Sequence, residues 1–140
     1  MDIIAEIPET EYVLKCTSAC AGCGDSLALR YVLKAAGPDT VLVMPAGCTA
    51  AFQGVYPKTA YTLPVVNIAF AAAASCASGL STFLRAKGKK TKVVVYAGDG
   101  ATLDIGLSAV SGAFERRTDF LYICYDNEAY GNTGMQRSGA

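Results

Sequence analysis

Residues 92–100, with the sequence KVVVYAGDG, decide the fold class of this chain. The β-branched, apolar run at its start predicts a strand that is buried on both faces, and the two glycines mark a sharp end to that strand. Apolar residues at helical spacing from 103 to 114 predict a helix next. A second apolar run, FLYICY at 120–125, predicts another buried strand. This order of strand, helix and strand is typical of a parallel sheet in an α/β fold.

Two oxygen-bearing side chains follow these two strands, Asp99 after the first and Asn127 after the second. Because the carboxyl ends of parallel strands open on the same edge of a sheet, we expect the two side chains to lie close together. Mg²⁺ is commonly held by one or two protein oxygens together with phosphate oxygens, and the backbone carbonyl of Ala129 could add to the protein share. Gly98 and Gly100 would let a diphosphate approach the backbone N–H groups. The pattern predicts a magnesium–diphosphate site, with a plain glycine turn and a capping acid as the alternative.

The GDG motif followed by Asn127 resembles the thiamine diphosphate motif, and YDNEAYGNTGMQRSG at 125–139 resembles one branch of it. That branch is the β subunit of 2-oxoacid:ferredoxin oxidoreductases, the pyruvate:ferredoxin oxidoreductase family, and the resemblance extends from Cys20 to Ala140. It implies an α/β fold with a doubly wound, mostly parallel sheet. It also implies oxidative decarboxylation of a 2-oxoacid, pyruvate by default, in which coenzyme A takes the acyl group and ferredoxin takes the electrons.

The resemblance carries a set of site residues onto this chain. Asp99, Asn127 and the Ala129 carbonyl are implied to hold Mg²⁺, and Asn132 is implied to lie nearest the reacting carbon, where a polar group can stabilise developing charge. The residues implied to touch thiamine diphosphate otherwise are Gly47, Thr49, Gly98, Gly100 and Thr133. For Asn132 and Thr133, a polar turn between two glycines is the alternative. The acid that polarises the aminopyrimidine is implied to come from an α-type or other partner subunit.

The six cysteines lie in a chain with no recognisable secretory signal at its start, which predicts reduced thiols and a cytoplasmic protein. Cys20 and Cys23 form a tight CxxC motif. The resemblance assigns Cys20, Cys23 and Cys48 as three thiolate ligands of a [4Fe-4S] cluster and expects a fourth cysteine well downstream, which this chain does not contain. Cys76 and Cys124 lie in apolar patterns that predict ordinary buried cysteines.

Three other interpretations of these motifs remain open. A structural zinc site made by the CxxC motif and Cys48 would give a non-catalytic module. A thiamine-dependent decarboxylase or synthase without a cluster would keep the magnesium site and not need the cysteines. The C-x3-C-x2-C spacing from Cys16 resembles that of radical-SAM enzymes, which need a larger barrel. The chain also departs from many relatives of the oxidoreductase family, which have Gly-His before the CxxC motif where this chain has Cys16-Thr17.

Composition limits the other functions. The chain has 140 residues, of which 52% are hydrophobic and 17% charged, and its net charge is zero. Scattered basic residues give no support for nucleic-acid binding, and the lack of histidine excludes histidine-based catalytic triads within the chain. We expect residues 1–140 to form one domain, the N-terminal part of a longer subunit whose sheet is incomplete at the C-terminus. Residues 1–15 are expected to form an irregular arm.

Three further segments complete the prediction. Residues 26–36 predict a helix that Asp25 caps and that stops at Gly37-Pro38. Residues 41–45 predict a strand that delivers Cys48 to the same edge as Asp99. The nearly charge-free stretch 65–84 is long enough to suggest a transmembrane span, but its many small residues favour a helix packed in a core or a subunit interface.

Overall fold

Strands and helices alternate along the chain, as the apolar runs and helical spacings of the sequence predict. The computed structural model describes residues 7–15 and 17–140. The helices are α1 (Gly24–Ala36), α2 (Cys48–Gln53), α3 (Ala73–Ala86) and α4 (Leu107–Glu115), with a π-helix at Gly100–Asp104 and a 3₁₀ turn at Gly131–Thr133. The strands are β1 (Thr40–Pro45), β2 (Val65–Ile68), β3 (Lys92–Gly98), β4 (Leu121–Tyr125), β5 (Ala129–Tyr130) and β6 (Gln136–Arg137).

The main sheet has four parallel strands in the order β2-β1-β3-β4. Alternate residues of its central strands point to opposite faces, as the pleat of a strand requires. One face packs against α1 and α2 through a cluster that includes Leu33, Leu42 and Tyr96, and the other packs against α3 through Val95 and Ala77. The chain therefore has helices on both faces of a parallel sheet, and the predicted doubly wound α/β fold is confirmed.

The strand register sets the position of the candidate site. β1 and β4 both pair with β3, so the segments that follow Pro45, Gly98 and Tyr125 leave the same edge of the sheet. The predicted convergence of the chain after these three strands is confirmed, because parallel neighbours bring their carboxyl ends together.

Two predicted helices have different bounds in the structure. The stretch 65–84 is divided between β2 and α3, because Val65 and Val66 pair with β1 and the helix begins only at Ala73. The helix predicted at 103–114 is also divided, into the π-helix and α4. Among the described residues, no helix has the length and the apolar character that crossing a membrane would require.

Two smaller predictions were wrong. Asp25 does not cap α1: Cys23 is the N-cap residue, no side chain makes a capping hydrogen bond, and Asp25 lies in the first turn. Cys124 is exposed, because β4 is an edge strand of the sheet and is covered less than its apolar sequence suggests.

Part of the predicted N-terminal arm, residues 1–6, lies outside the described residues, as does Cys16 of the C-x3-C-x2-C spacing. Residues 7–15 contain no helix and no strand beyond a single bridge from Val13 to Tyr61. They are held against α1 by charge, since Arg30 and Lys34 both contact the carboxylate of Glu11, at 2.5 and 2.9 Å.

Candidate functional site

A cavity of about 260 Å³ opens at the edge where β1, β3 and β4 end. The residues that line it come from the loops after these strands and from the loop before α3, and they are Ala46, Gly47, Cys48, Phe70, Gly98, Asp99, Gly100, Ala101, Tyr125, Asn127, Ala129, Tyr130, Gly131, Asn132 and Thr133. Ligands of open α/β sheets bind in this position, outside the carboxyl ends of the strands. The cavity is therefore the candidate binding site.

Most of the predicted site residues meet in this cavity. Those that line it are Gly47, Cys48, Gly98, Asp99, Gly100, Asn127, Ala129, Asn132 and Thr133. Thr49 is fully buried behind the wall of the cavity. Cys20 and Cys23 do not line it. The structure therefore groups the predicted oxygen ligands together and leaves the CxxC motif outside the cavity.

Asp99 is buried, with only 1% of its surface exposed, although it lines the cavity. It directly follows β3 and precedes the π-helix, so the end of the central part of the sheet fixes its backbone. Its Oδ2 accepts a hydrogen bond from the hydroxyl of Ser138. A carboxylate that is out of bulk water and held in one orientation is a suitable ligand for a hard cation.

Asn127 is placed by two tight turns in the loop after β4. The N–H of Ala129 donates to Asn127 Oδ1 at 3.2 Å, and the N–H of Glu128 donates to Asp126 Oδ1 at 3.0 Å. Glu128 adopts a φ of 57°, in the left-handed region that non-glycine residues seldom occupy. Because a carbonyl oxygen has two lone pairs, Asn127 Oδ1 retains one that can bind a cation.

The chain then forms a short hairpin beside the cavity. Its strands β5 and β6 are antiparallel, and the 3₁₀ turn between them contains Asn132 and Thr133, which are both exposed. The hydroxyl of Thr133 contacts Gln136 Oε1 at 2.8 Å, which ties the tip of the hairpin to its return strand. The tip therefore presents two polar side chains at the cavity mouth.

Two tyrosines that the sequence analysis missed shape the cavity. An added Cβ at Gly100 would lie 2.4 Å from Cε1 of Tyr130, and one at Gly98 would lie 3.2 Å from Cε2 of Tyr125. An added Cβ at Gly47 would lie 3.1 Å from the Tyr125 hydroxyl. The glycines were predicted to give a diphosphate access to the backbone. The structure shows a second role for them, because the absence of a side chain leaves room for the Tyr125 and Tyr130 rings. The two tyrosines that begin and end the run YDNEAY were the sequence feature that could have predicted aromatic rings at this cavity.

Tyr125 also connects the cavity to a buried polar group below it. Its ring stacks on that of Tyr96, with centroids 5.1 Å apart, and burial raises the pKa of Tyr125 to about 12. The Tyr96 hydroxyl donates to the backbone carbonyl of Asp25 at 3.0 Å. Both carboxylate oxygens of Asp25 are enclosed and lack a hydrogen-bond partner among the described residues, and burial raises the pKa of this carboxyl group.

The three candidate cluster cysteines lie on two neighbouring loops. The N–H of Cys23 donates to the carbonyl of Cys20 at 3.1 Å, which closes the CxxC turn in front of α1, and Cys48 begins α2. Burial raises the pKa of the Cys48 thiol, and the nearby Asp25 carboxylate and the other two thiols raise it further. Cys48 therefore faces the CxxC motif while it also lines the cavity.

The residues fit the two candidate inorganic groups to different degrees. For Mg²⁺, Asp99, Asn127 and Ala129 line one cavity, and they offer a carboxylate, a side-chain carbonyl and a backbone carbonyl, which are oxygen donors of the kind that this ion prefers. For an iron–sulfur cluster, three thiols form a suitable donor set chemically. Within residues 7–15 and 17–140, however, no three His, Cys, Asp or Glu side chains are grouped closely enough to hold a metal ion.

Comparison with known proteins gives matches for most of the chain. A family model described as the C-terminal TPP-binding domain of thiamine pyrophosphate enzymes matches residues 45–140. Pyruvate synthase subunit PorB of Methanothermobacter thermautotrophicus is 48% identical over 136 residues, which are 96% of this chain and 47% of the relative. Ketoisovalerate oxidoreductase subunit VorB of Pyrococcus furiosus is also 48% identical, over 96% of this chain and 45% of the relative. The chain thus spans about half the length of the curated relatives it matches.

A solved structure supports the fold. The 2-oxoglutarate:ferredoxin oxidoreductase from Magnetococcus marinus, with 2-oxoglutarate, coenzyme A and succinyl-CoA bound, superposes with a TM-score of 0.74 over 95% of this chain and 46% of that one. Sequence identity is 22%, so the likeness concerns the fold alone. Together with the PorB and VorB matches, it confirms the predicted resemblance and fold class.

Proposed function

Because the chain belongs to the family of thiamine pyrophosphate enzymes, through their C-terminal TPP-binding domain, we propose that it is the cofactor-binding part of a 2-oxoacid:ferredoxin oxidoreductase of the β type. The reaction is the oxidative decarboxylation of a 2-oxoacid, with pyruvate as the first substrate to test, and coenzyme A takes the acyl group. The observation that carries this proposal is the cavity in which Asp99, Asn127 and Ala129 lie together at the sheet edge.

Within this proposal, the oxygens of Asp99, Asn127 and Ala129 would hold Mg²⁺, which would neutralise charge on the diphosphate of the cofactor. Gly98 and Gly100 expose their backbone to that diphosphate. The bound thiamine supplies the carbon nucleophile that activates the 2-oxoacid, and the protein supplies placement and electrostatics.

The hairpin tip is proposed to act on substrate. Asn132 is exposed at the cavity mouth, and its amide can donate to an oxygen on which charge develops. Thr133, beside it, contributes a hydroxyl to the diphosphate side of the cavity. Gly47 and Thr49, which flank Cys48, complete the proposed contacts with the cofactor. A partner subunit of the α type supplies the acid that polarises the aminopyrimidine.

Cys20, Cys23 and Cys48 are proposed to provide three thiolates that would hold a [4Fe-4S] cluster, and such a cluster would supply one-electron chemistry toward ferredoxin. Support comes from the position of Cys48 in the cavity wall and from the turn that brings Cys20 and Cys23 together in front of α1. The fourth ligand is proposed to come from another part of a longer subunit, in which residues 1–140 form one domain. A cytoplasmic location remains part of this proposal, because an iron–sulfur cluster needs reduced thiols.

The proposal is tested on the anaerobically purified complex that contains this chain and its partner subunits. We expect broad absorbance at roughly 400 nm, typical of thiolate-bound iron–sulfur centres. It should bleach on addition of pyruvate, thiamine diphosphate and coenzyme A, and ferredoxin should become reduced. 2-Oxoisovalerate and 2-oxoglutarate should be run in parallel, so that the preferred substrate is identified.

The alternatives give different results in the same experiment. A colourless complex that decarboxylates pyruvate with thiamine diphosphate would identify a cluster-free decarboxylase or synthase. A colourless protein that contains zinc and has no thiamine-dependent activity would identify the non-catalytic module. Either result would overturn the proposed oxidoreductase.

A further inference from the structure

Ser138 is buried in a segment that is otherwise exposed. It is 5% exposed, whereas every residue from 132 to 137 and both residues that follow it are exposed. Its hydroxyl donates to Oδ2 of Asp99, which is 39 positions away in the sequence. A surface segment that turns one small polar side chain inward onto a buried carboxylate is making a specific contact with that carboxylate.

A second acid fixes the segment at the same place. Asp104, in the π-helix after Asp99, accepts the N–H of Gly139 at 3.0 Å and the hydroxyl of Tyr130 at 2.5 Å, both through Oδ2. A Cβ added to Gly139 would lie 2.1 Å from Asp104 Oδ1, so the backbone of Gly139 closely approaches the carboxylate of Asp104. Asp104 therefore ties both ends of the hairpin to the GDG segment.

The contact with Ser138 determines the orientation of the Asp99 carboxylate and which of its oxygens is open to a cation. Among the described residues, the Ser138 hydroxyl is the one side-chain partner of Asp99, and it occupies a single oxygen of the carboxylate. A hydrogen bond to one oxygen restricts rotation of the carboxylate and leaves the other oxygen available to a cation. Outer partners of this kind orient metal ligands in many metalloproteins.

We propose that Ser138 is a positioning residue: its hydroxyl holds Asp99 Oδ2 so that Oδ1 is presented to the Mg²⁺ of thiamine diphosphate, and Asp104 holds Ser138 in place through Gly139 and Tyr130. This inference rests on the proposed function, because it needs Mg²⁺ and the cofactor in the cavity. It adds a specific role for residues 138–139, which carry no oxygen ligand of their own in the proposed site.

The test is a calorimetric titration of thiamine diphosphate into the assembled complex at a series of Mg²⁺ concentrations, which needs no turnover. In Ser138→Ala, the Mg²⁺ concentration that supports half-maximal cofactor binding should rise by about 10-fold or more, as is usual for loss of an outer-shell partner. Ser138→Thr keeps the hydroxyl and should recover most of the affinity. Ser111→Ala, in an exposed position of α4, is the matched control and should behave as the wild type.

The possible outcomes are distinct. If the wild type binds thiamine diphosphate and Ser138→Ala has the same Mg²⁺ requirement, the role of Ser138 is refuted and the proposed function stands. If the wild type itself fails to bind the cofactor with Mg²⁺, both proposals are refuted. Should the alanine variant fail to assemble, Ser138→Cys, which has a similar size but a weak S–H donor, takes its place with the same expected rise.

Discussion

The oxygen-ligand cavity around Asp99 and the CxxC turn at Cys20–Cys23 are close neighbours, but they are built in different ways. The cavity lies where three paired strands end, and the positions of its ligands follow from strand register. The CxxC turn precedes a helix and is held by local hydrogen bonds: the N–H of Cys23 donates to the carbonyl of Cys20, and the hydroxyl of Ser26 and the N–H of Leu27 donate to the carbonyl of Cys23. The cavity is therefore organised by the sheet, whereas the turn is organised by contacts between residues that are close in the sequence.

Cys48 belongs to both regions. It begins α2 at the cavity wall, and burial, with the nearby Asp25 carboxylate and the Cys23 and Cys20 thiols, raises the pKa of its thiol. Its position suggests that a group bound by the cysteines would lie against the cofactor cavity. Substitutions in the two regions should therefore separate the assembly of the cavity from that of the cysteine site.

The largest effect is expected from Asp99→Asn, which keeps the shape of the side chain and removes its charge. Loss of an outer-shell partner costs roughly 10- to 100-fold in metal affinity, so loss of a charged ligand should weaken Mg²⁺-dependent binding of thiamine diphosphate by more than about 100-fold. Calorimetry on the assembled complex measures this. Asp119→Asn, an exposed acid at the other end of the sheet, is the control, and equal effects of the two variants would contradict the magnesium role.

Cys48→Ser should remove the proposed iron–sulfur cluster and leave the proposed magnesium site in place. We expect loss of the absorbance at roughly 400 nm and of most of the iron, because oxygen replaces a thiolate ligand. Iron analysis and absorption spectra measure the loss, and thiamine diphosphate binding is measured in parallel. Cys124→Ser, at an exposed position of β4, should keep both, and full iron content in Cys48→Ser would exclude the assigned ligand role.

A pair of glycine substitutions compares the packing of the two regions. Gly100→Ala would place a Cβ 2.4 Å from the Tyr130 ring, and we expect it to lower the free energy of unfolding by about 1–3 kcal/mol, as is typical of overpacking. At Gly24, beside the CxxC motif, an added Cβ would meet no atom within 4 Å, so Gly24→Ala should change the free energy of unfolding by less than about 0.5 kcal/mol. Denaturant unfolding measures both, and a larger cost at Gly24 would contradict the comparison.

The smallest effect concerns the ion pairs that hold the N-terminal segment to α1. Hydrogen bonds from Arg30 and Lys34 lower the pKa of Glu11 from 4.5 to about 2. A lowered pKa in the folded state means that this stabilisation is complete above pH 4.5 and is lost as the pH falls toward about 2. Glu11→Gln should reduce the pH dependence of stability in that window, and the effect should be small because the Glu11 carboxylate is open to solvent.

Hydrogen exchange followed along the chain would locate this effect. In the wild type, amides of residues 7–15 and of α1 should lose protection with acid before those of β3 do. Asp39→Asn, which alters an exposed acid that makes no ion pair among the described residues, serves as the control. If the protection of these amides depends on pH in Glu11→Gln as it does in the wild type, the ion pairs of Glu11 do not hold residues 7–15 to α1.

The sequence predicted the strands of the central sheet more accurately than the helices beside the site. KVVVYA is short, apolar and rich in β-branched residues, and FLYICY is short, apolar and rich in aromatic residues, so both favour strands, and their ends placed Asp99 and Asn127 within a residue or two. The stretch 65–84 was ambiguous, because small and apolar residues suit a helix or a strand equally well until pairing with β1 selects Val65–Ile68 as a strand.

By itself, the sequence determined which side chains reach the edge of the sheet, because strand ends and turn residues are local properties of the chain. Only the tertiary structure decided that Tyr130 lies over Gly100, that Asp25 is enclosed beneath the cavity, and that Ser138 binds Asp99. These contacts join residues far apart in the sequence. They depend on strand register and on the path of the loops, which no local pattern of residues specifies.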